Sequence, residues 1–384
     1  MRAFRLRLPQ IVFGIGSLKT IGDECRRLKA KKIFISTDKG IVKAGLLDEI
    51  VSPLKGAGMD IFVYDKVEPN PKAEIIDGGA KIYHKERCDL IIGFGGGSSM
   101  DTAKGIAIMS RNEGSILDYQ SGQKQFTNAP SPFIEVPTTA GTGSEVTCSA
   151  VITNDKLGKK FVVYDPNLIA SLAIVDPKLT LNLPPKFTAE TGADALSHAI
   201  EAYVCTWSNQ ISNMFSLKAL ELIANNLEKA FANGKNVEAR SNMMLASTLA
   251  GMAIASSGLG ILHSIVHAIG GRHDLSHGML CGLLLPRIME FNLVAEPSKF
   301  ADIARAFGFG VCGLPEIDAG KKAIDAVKSL LKEVKIPERL REIGVSKKEL
   351  QEIAMDAAED KILLEMNPRK ASVEEIIEIL ERSF

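Results

Sequence analysis

The chain lacks any excess of charge of one sign. Its 384 residues include 46 Lys plus Arg and 46 Asp plus Glu, so the formal net charge is zero. There is no basic block interleaved with aromatic residues, which argues against nucleic acid as a partner. The apolar stretches are broken by Gly, His or charged residues before they reach the length of a membrane span. The first residues carry basic side chains but no apolar signal-peptide core. We therefore expect neither export nor a membrane partner.

Cysteine is also scarce and widely spaced. The six cysteines contain no CxxC pair, so we expect reduced thiols and a cytoplasmic protein. The 46% hydrophobic and 24% charged residues are typical of a globular protein, and the length allows two domains.

The first half alternates strand-like and helical segments. Apolar runs predict strands at 31–37, 60–65, 88–95, 133–137, 149–154 and 168–176. Segments 46–58 and 72–87 have helical spacing and charged faces. Such alternation indicates a parallel sheet with right-handed crossovers.

The pattern changes near residues 183–186, where two prolines interrupt it. From Phe187 onward the apolar residues recur at helical spacing and strand-like runs vanish. We therefore predict an α/β dinucleotide-binding domain over 1–184 and an all-helical domain over 185–384.

Two glycine-rich turns follow predicted strands. In the first, Gly95–Gly97 precedes a helix predicted to begin near Ser98. Glycines allow close backbone approach, and a helix start attracts pyrophosphate, although a tight turn without a ligand explains this segment equally well. The second turn, 136–147, offers the hydroxyl groups of Thr138, Thr139, Thr142 and Ser144. Together the turns favour a nucleotide across the carboxyl edge of one sheet.

Asp38 ends the predicted strand 31–37. A carboxylate there can accept hydrogen bonds from an adenosine ribose and repel a 2′-phosphate, which favours NAD over NADP. The competing interpretation is a helix N-cap. Lys39 and Lys43 weaken the preference for NAD.

The six histidines are unevenly distributed. Asp194 and His198 lie four residues apart in an Ala- and Leu-rich helical segment, and His263 and His267 repeat that spacing, followed by His277. Residues four apart share a helix face, and carboxylate and imidazole are ligands for divalent transition metals. Since unpaired polar groups in apolar helices are unfavourable, a metal site explains the pattern better than core histidines do.

Spacing alone leaves the membership of this site open. It pairs His263 with His267, and it does not say which histidines bind. Glu190 and Glu201 share the face of Asp194. The choice between iron and zinc also stays open.

With these motifs assembled, the chain resembles the iron-containing (group III) alcohol dehydrogenases. The resemblance runs nearly end to end. It is carried by FGIGSL (13–18), VEPNP (67–71), GGGSSMDTAK (95–104), PTTAGTGSEVT (137–147), GADALSHAIEAY (192–203), HSIVHAIGGRHDLSHG (263–278) and NPR (367–369).

The resemblance implies a set of metal ligands. In that family they are the Asp and His of the GADALxHA motif and the first and last His of the later stretch. The matching residues are Asp194, His198, His263 and His277. His267 matches a histidine beside the nicotinamide, which makes it the candidate catalytic residue that orients the substrate or relays a proton.

The resemblance also implies the cofactor contacts. Gly96, Gly97 and Ser98 would contact the pyrophosphate, with Thr138, Thr139 and Thr142 further along the cofactor. Asp38 and Asn70 would face the adenosine, and Lys160 the ribose or phosphate. Asp101 would position the phosphate loop or approach the nicotinamide region.

The implied fold is an α/β N-terminal domain and an all-α C-terminal domain, the dehydroquinate synthase-like architecture. The implied activity is reversible hydride transfer between a primary or short-chain alcohol or diol and its aldehyde or ketone. NAD would be the cofactor, and Fe²⁺ (or Zn²⁺) the Lewis acid on the alcohol oxygen. A homodimer is expected, with residues 1–9 pairing across subunits.

Four alternatives remain at this point. Two share the fold: a zinc-dependent polyol dehydrogenase of the glycerol type and a dehydroquinate synthase-like lyase. The others are a metallohydrolase whose turns bind a substrate phosphate and a metal-stabilised protein without catalysis.

Overall fold

A computed structural model describes residues 4–384, which divide into two compact units. The α/β unit comprises residues 7–139 and 144–181, and the helical unit comprises 4–6, 140–143 and 182–384. The segment predicted to pair across subunits begins in residues 1–3, which lie outside the described residues, and residues 4–9 form no strand.

The α/β unit contains eight strands and five helices among its described residues. The strands are β1 (Gln10–Phe13), β2 (Lys32–Asp38), β3 (Asp60–Val67), β4 (Leu90–Gly95), β5 (Phe133–Pro137), β6 (Ser149–Asn154), β7 (Lys159–Tyr164) and β8 (Leu172–Val175). The helices are α1 (Ile21–Arg27), α2 (Lys39–Lys43), α3 (Leu47–Gly56), α4 (Ala73–Lys85) and α5 (Gly97–Met109). Six strands form a parallel sheet in the order β1-β8-β5-β4-β2-β3. The predicted fold class is confirmed.

Helices cover both faces of this sheet, which explains why its central strands are apolar throughout. In β2, Phe34 points into a cluster that includes side chains of α4 and α5. Its neighbours Ile33 and Ile35 point into a second cluster, which includes side chains of α1 and α3. Successive residues of a strand face opposite sides, so both faces of β2 need apolar residues.

The sequence did not predict β1 or β7, and β8 is shorter than the predicted strand 168–176. The predicted strand 149–154 exists as β6, but it pairs antiparallel with β7 in a separate ribbon. Burial alternates along β6, with Ala150 and Ile152 buried and Val151 partly exposed. A ribbon covered on one face shows this alternation, whereas the strands of the parallel sheet do not.

The helical unit contains ten α-helices in its described residues. They are α6 (Pro185–Val204), α7 (Gln210–Ala232), α8 (Val237–Ser256), α9 (Ile261–Arg272), α10 (His277–Asn292), α11 (Pro297–Ala306), α12 (Glu316–Glu333), α13 (Leu350–Ala358), α14 (Lys361–Met366) and α15 (Val373–Arg382). Helix α6 is the centre of the unit: it packs against α7, α8 and α10, and is buried along most of its length.

Within residues 4–384, no single helix is long and apolar enough to cross a bilayer. One pair, α8 with α9, meets the criteria of length and composition only when the two are taken together, and it is bent by 104°.

Candidate functional site

Four residues of the helical unit form a candidate metal centre. Each of them offers one ligand atom, and these atoms all lie within 4.8 Å of one another. The four are Asp194, His198, His263 and His277. The structure thus brings together, from three helices, the four residues that the resemblance implied as ligands.

Asp194 lies between two of the histidines. Its Oδ1 is 3.6 Å from His198 Nε2, one turn further along α6, and 3.6 Å from His277 Nε2 at the start of α10. Asp194 and His198 are buried, whereas His277 is about a quarter exposed. The centre is therefore enclosed on the side of α6 and more accessible at His277.

The chemistry of these side chains fits a divalent metal. Asp194 Oδ1 is buried and has no hydrogen-bond partner among residues 4–384, an arrangement that is unfavourable unless a cation compensates it. Burial, reinforced by neighbouring His198, lowers the pKa of His263 to about 3. His263 is thus neutral at physiological pH, the form in which imidazole binds metals.

His267 lies next to this cluster on α9, one turn after His263. Its ring centre is 6.1 Å from that of His263 and 5.7 Å from that of His277. It is not one of the four residues whose ligand atoms converge. The pairing of His263 with His267 that spacing suggested is therefore not the arrangement of the cluster.

In the α/β unit, the two glycine-rich turns adjoin each other at the carboxyl ends of β4 and β5. The Thr138 backbone N–H donates to Gly95 O over 2.9 Å. Gly95 has φ +154°, and a Cβ there would lie 2.4 Å from Ser99 Oγ, so a side chain does not fit. Gly96, Gly97 and Ser98 open α5, where N–H groups of the first turn can bind phosphate.

Asp38 makes two hydrogen bonds through its carboxylate. Its Oδ1 accepts a hydrogen bond from Ile41 N over 3.0 Å, so Asp38 is the N-cap of α2. Its Oδ2 accepts one from Ser99 Oγ over 3.3 Å, which places the carboxylate beside the first turn of α5. The N-cap interpretation is correct, and the position still suits a ribose contact.

Asp101 connects α5 with the second turn. Its carboxylate accepts hydrogen bonds from Ser144 Oγ over 2.7 Å and from Val151 N over 2.9 Å. Burial raises the pKa of Asp101 above its ordinary value, while the nearby Lys104 ammonium and these donors oppose the shift. Asp101 therefore links α5 to the second turn and to β6.

Asn70 and Lys160, two further predicted cofactor residues, contact each other. Lys160 Nζ donates to Asn70 Oδ1 over 2.7 Å, and Thr153 Oγ1 donates to Asn70 O over 3.2 Å. Asn70 has φ +56°, a left-handed conformation that Asn tolerates better than most residues.

The remaining predicted cofactor residues divide between the units. Thr138 and Thr139 belong to the α/β unit, whereas Thr142 lies in segment 140–143 of the helical unit. Beside Thr142, Gly143 has φ +61°, and a Cβ there would lie 2.6 Å from the Gly251 Cα of α8. Only glycine fits this close approach.

Comparison with known families decides between the alternatives. The family model described as iron-containing alcohol dehydrogenase matches residues 9–177. A second family model, for the C-terminal part of the Fe-containing alcohol dehydrogenase family, matches residues 188–384. This chain belongs to the iron-containing alcohol dehydrogenase family.

Individual relatives of this alcohol dehydrogenase agree. It is 41% identical to 1,3-propanediol dehydrogenase of Citrobacter freundii, covering 100% of this chain and 99% of that protein. It is 38% identical to NAD-dependent methanol dehydrogenase of Bacillus methanolicus, covering 98% of each. The crystal structure of 1,3-propanediol oxidoreductase matches with a TM-score of 0.96 and 39% identity over 100% of both chains.

These matches confirm the predicted activity, oxidation of an alcohol and reduction of the corresponding carbonyl compound. They do not favour the alternative of a zinc-dependent polyol dehydrogenase or a dehydroquinate synthase-like lyase. They also place the chain outside the metallohydrolase and non-catalytic interpretations.

The sequence did not identify Lys104 as a contributor to the site of this alcohol dehydrogenase, and it left the role of Glu201 open. Lys104 is fully buried, and its Nζ donates to Ser144 O, Ser144 Oγ, Thr147 Oγ1 and Ser149 O over 2.7–3.1 Å. The sequence feature that could have identified Lys104 is that it is the one charged residue in the segment that follows Asp101 on α5. Glu201 contacts His263 Nδ1, and its signal was its position three residues after His198 on α6.

Gly278 determines how closely α10 approaches α6. A Cβ on Gly278 would lie 2.1 Å from the Glu190 carbonyl oxygen and 3.2 Å from Asp194 Cβ. Because Gly278 follows His277 directly, this contact fixes the distance between His277 and Asp194.

We expect Gly278→Ala to push α10 away from α6. Overpacking of this kind destabilises by about 1–3 kcal/mol, or about 2–4 °C in melting temperature for each kcal/mol in a domain of this size. Binding of added Co²⁺ should weaken as well, because His277 moves with the helix. Differential scanning calorimetry and metal titration measure the two effects.

The matched control is Gly56→Ala. Gly56 ends α3, and nothing lies within 4 Å of a Cβ built there. It should leave both quantities within error. A Gly278→Ala protein with unchanged stability and metal affinity would show that the α6–α10 contact does not set the geometry.

Proposed function

We propose that this alcohol dehydrogenase uses NAD and iron to interconvert a short primary alcohol or diol with its aldehyde. The observation that carries the proposal is the convergence of one carboxylate and three imidazoles in the helical unit. A relative named 1,3-propanediol dehydrogenase supports the substrate class. A relative named NAD-dependent methanol dehydrogenase supports the cofactor.

The proposed metal ligands are Asp194, His198, His263 and His277. A bound divalent metal supplies Lewis-acid polarisation of the alcohol oxygen. One carboxylate with three neutral imidazoles suits Fe²⁺ and Zn²⁺ alike, and the family favours iron. The exposure of His277 leaves that side of the cluster open to a small ligand.

His267 is proposed to orient the substrate or to transfer its proton. Its imidazole lies beside the cluster without joining it, and imidazole can both donate and accept a proton. Reversible oxidation requires a group of this kind, because the alcohol proton must leave in one direction and return in the other.

The cofactor residues are proposed on the two glycine-rich turns and on the contacts of Asp38, Asn70 and Asp101. Gly96, Gly97 and Ser98 would bind the pyrophosphate at the start of α5, with Thr138, Thr139 and Thr142 along the second turn. Asp38, Asn70 and Lys160 would contact the adenosine half, and Asp101 would keep the turns in place. NAD supplies the hydride acceptor, and these residues supply its binding and orientation.

We expect Asp38→Ser to relax the preference for NAD. The carboxylate repels a 2′-phosphate, and two like charges a few ångströms apart near a protein surface interact by about 1–4 kcal/mol. Serine removes the charge while retaining an N-cap for α2. The ratio of kcat/KM with NADP to that with NAD should therefore rise about fivefold or more, since about 1.36 kcal/mol corresponds to a factor of ten.

Steady-state kinetics with both cofactors measure this ratio. Asp48→Ser, at an exposed aspartate of α3, is the matched control and should leave the ratio unchanged. A protein that prefers NADP before any substitution would contradict the role given to Asp38.

We further propose a cytoplasmic homodimer. All six cysteines are free thiols, as suits a reducing compartment. The dimer rests on the resemblance to the family. Light scattering should give twice the chain mass of 41.4 kDa.

The proposed function is tested by a screen of alcohols and aldehydes on metal-free, iron-loaded and zinc-loaded protein, prepared without oxygen. We expect NADH absorbance to grow with short primary alcohols or diols, most strongly on the iron-loaded protein. Folded protein that binds both metal and NAD but oxidises none of these alcohols would refute the proposed substrate class.

A further inference from the structure

Glu201 is a buried carboxylate beside the metal centre but not one of its four proposed ligands. It is 2% exposed and lies on α6, three residues after His198. Its Oε2 contacts His263 Nδ1, and its Oε1 accepts a hydrogen bond from Leu262 N over 3.0 Å. Both oxygens are thus used by the first turn of α9, the helix that carries His263.

The contact with Nδ1 determines the chemical state of His263. A neutral imidazole carries a proton on one ring nitrogen and a lone pair on the other. If Nδ1–H donates to Glu201, the lone pair is on Nε2, where it can bind a metal. Metal-binding histidines commonly donate their second N–H to a carboxylate, which fixes the ring and raises its basicity.

The start of α9 depends on side chains from distant segments. The first N–H groups of a helix have no partner within the helix, and the N-cap residue Gly260 has no side chain to supply one. Glu201 accepts from Leu262 N, and Asn367 Oδ1 accepts from Ile261 N over 3.3 Å. A Cβ on Gly260 would lie 2.8 Å from Glu201 Oε1 and 2.7 Å from Asn367 Oδ1.

The geometry points to Glu201 as a positioning residue that holds His263 in its metal-binding tautomer and orientation and thereby sets the affinity of the centre for its metal. This inference rests on the proposed metal centre. It assigns Glu201 no contact with the metal or the substrate. It acts through His263 and the first turn of α9.

The test is metal binding by the full-length Glu201→Gln protein. Glutamine keeps the size of the side chain but offers one acceptor oxygen for two donors, Leu262 N–H and His263 Nδ1–H. Metal-free protein is titrated with Co²⁺ in competition with a chromophoric chelator. We expect binding to weaken by about 10- to 100-fold, the range for loss of such a partner.

Glu190→Gln is the matched control. Glu190 is another buried acid of α6, its carboxylate lies 3.9 Å from Lys186 Nζ, and it is not among the four converging residues. It should bind Co²⁺ as the unmodified protein does. Equal weakening by both substitutions would overturn the inference, since loss of any buried acid of α6 would then suffice.

A second measurement separates positioning from a purely structural role and does not depend on the variant folding. In the metal-free, unmodified protein with ¹⁵N-labelled histidine, long-range ¹H–¹⁵N spectra should show His263 as the Nδ1–H tautomer. The Nε2–H tautomer would overturn the inference. In Glu201→Gln, we expect a mixture of tautomers, whereas a merely structural role lowers the unfolding temperature and leaves the tautomer unchanged.

The outcomes distinguish this inference from the proposed function. If the unmodified protein takes up no Co²⁺, the metal centre fails and the inference fails with it. If the unmodified protein and Glu201→Gln bind Co²⁺ equally tightly, the centre stands and only the role of Glu201 is refuted.

Discussion

Asp194→Asn is expected to abolish metal binding and to lower kcat/KM for alcohol oxidation at least about a thousandfold, because a metal contributes several kcal/mol of transition-state stabilisation. Asp194 is the only acid among the four converging side chains, and its Oδ1 is 3.6 Å from the Nε2 atoms of both His198 and His277. Asparagine has nearly the same shape but is neutral, and an amide oxygen is a weaker ligand for iron or zinc. The side chain would remain in place while the affinity is lost.

The same substitution should not destabilise the metal-free protein. The buried Oδ1 has no hydrogen-bond partner within residues 4–384, so the ionised carboxylate is poorly solvated and a neutral amide relieves that penalty. Metal content by mass spectrometry and kcat/KM with NAD should therefore fall together, while the melting temperature of the metal-free protein should not fall.

Asp325→Asn provides the control for Asp194→Asn. Asp325 is an exposed aspartate on α12 of the helical unit, and its substitution should leave metal content and activity as they are. One metal ion per chain retained by Asp194→Asn, together with normal turnover, would mean that the carboxylate is not a ligand.

The fold was predictable where local sequence and tertiary environment agree. Strands β2, β4 and β5 are buried on both faces, so their continuous apolar runs mark them within two residues of their ends. Strand β1 is only four residues long and partly exposed, so its three apolar residues, Ile11–Phe13, are too few to mark a strand. Along strand β7 the burial of side chains alternates, and the register of the strand is set by its antiparallel pairing with β6.

For the candidate metal centre, the sequence predicted the types of ligand residue but not which of them lie together. Spacing placed Asp194 with His198 correctly, because one turn of α6 joins them. It also paired His263 with His267, since the two share a face of α9. The contact of Asp194 with His277 depends instead on the close approach of α10 to α6 at Gly278. This tertiary contact leaves no periodic pattern in the sequence. Only the resemblance to a family supplied it.

Lys104 illustrates the same limit for the glycine-rich turns. A lysine on a helix is usually exposed, yet this one is fully buried with four oxygen acceptors around its ammonium group. All of those acceptors belong to residues 144–149, about 40 positions after Lys104 in the chain. No sequence pattern indicated that Lys104 contacts them. Pairing of a buried charge is settled by the tertiary fold.

His267→Ala tests the least obvious assignment in the site. We expect the variant to keep its metal and to lose turnover by about 100-fold or more, within the range for removal of a general acid–base group. The reason is geometric: the His267 ring lies 5.7 Å from that of His277, outside the group of converging ligand atoms. Partial recovery of kcat on addition of free imidazole would support a proton-transferring role.

His273→Ala is the control for this substitution. His273 lies within the same histidine-rich stretch, its Nε2 lies 3.2 Å from Glu349 Oε1, and its loss should affect neither metal content nor kcat. For His267→Ala, the metal content of the purified protein decides between the two roles, and it is measured before activity. Metal lost together with turnover would make His267 a ligand, as spacing alone suggested. Metal retained with turnover lost would show that its imidazole acts on the substrate or the cofactor and not as a metal ligand.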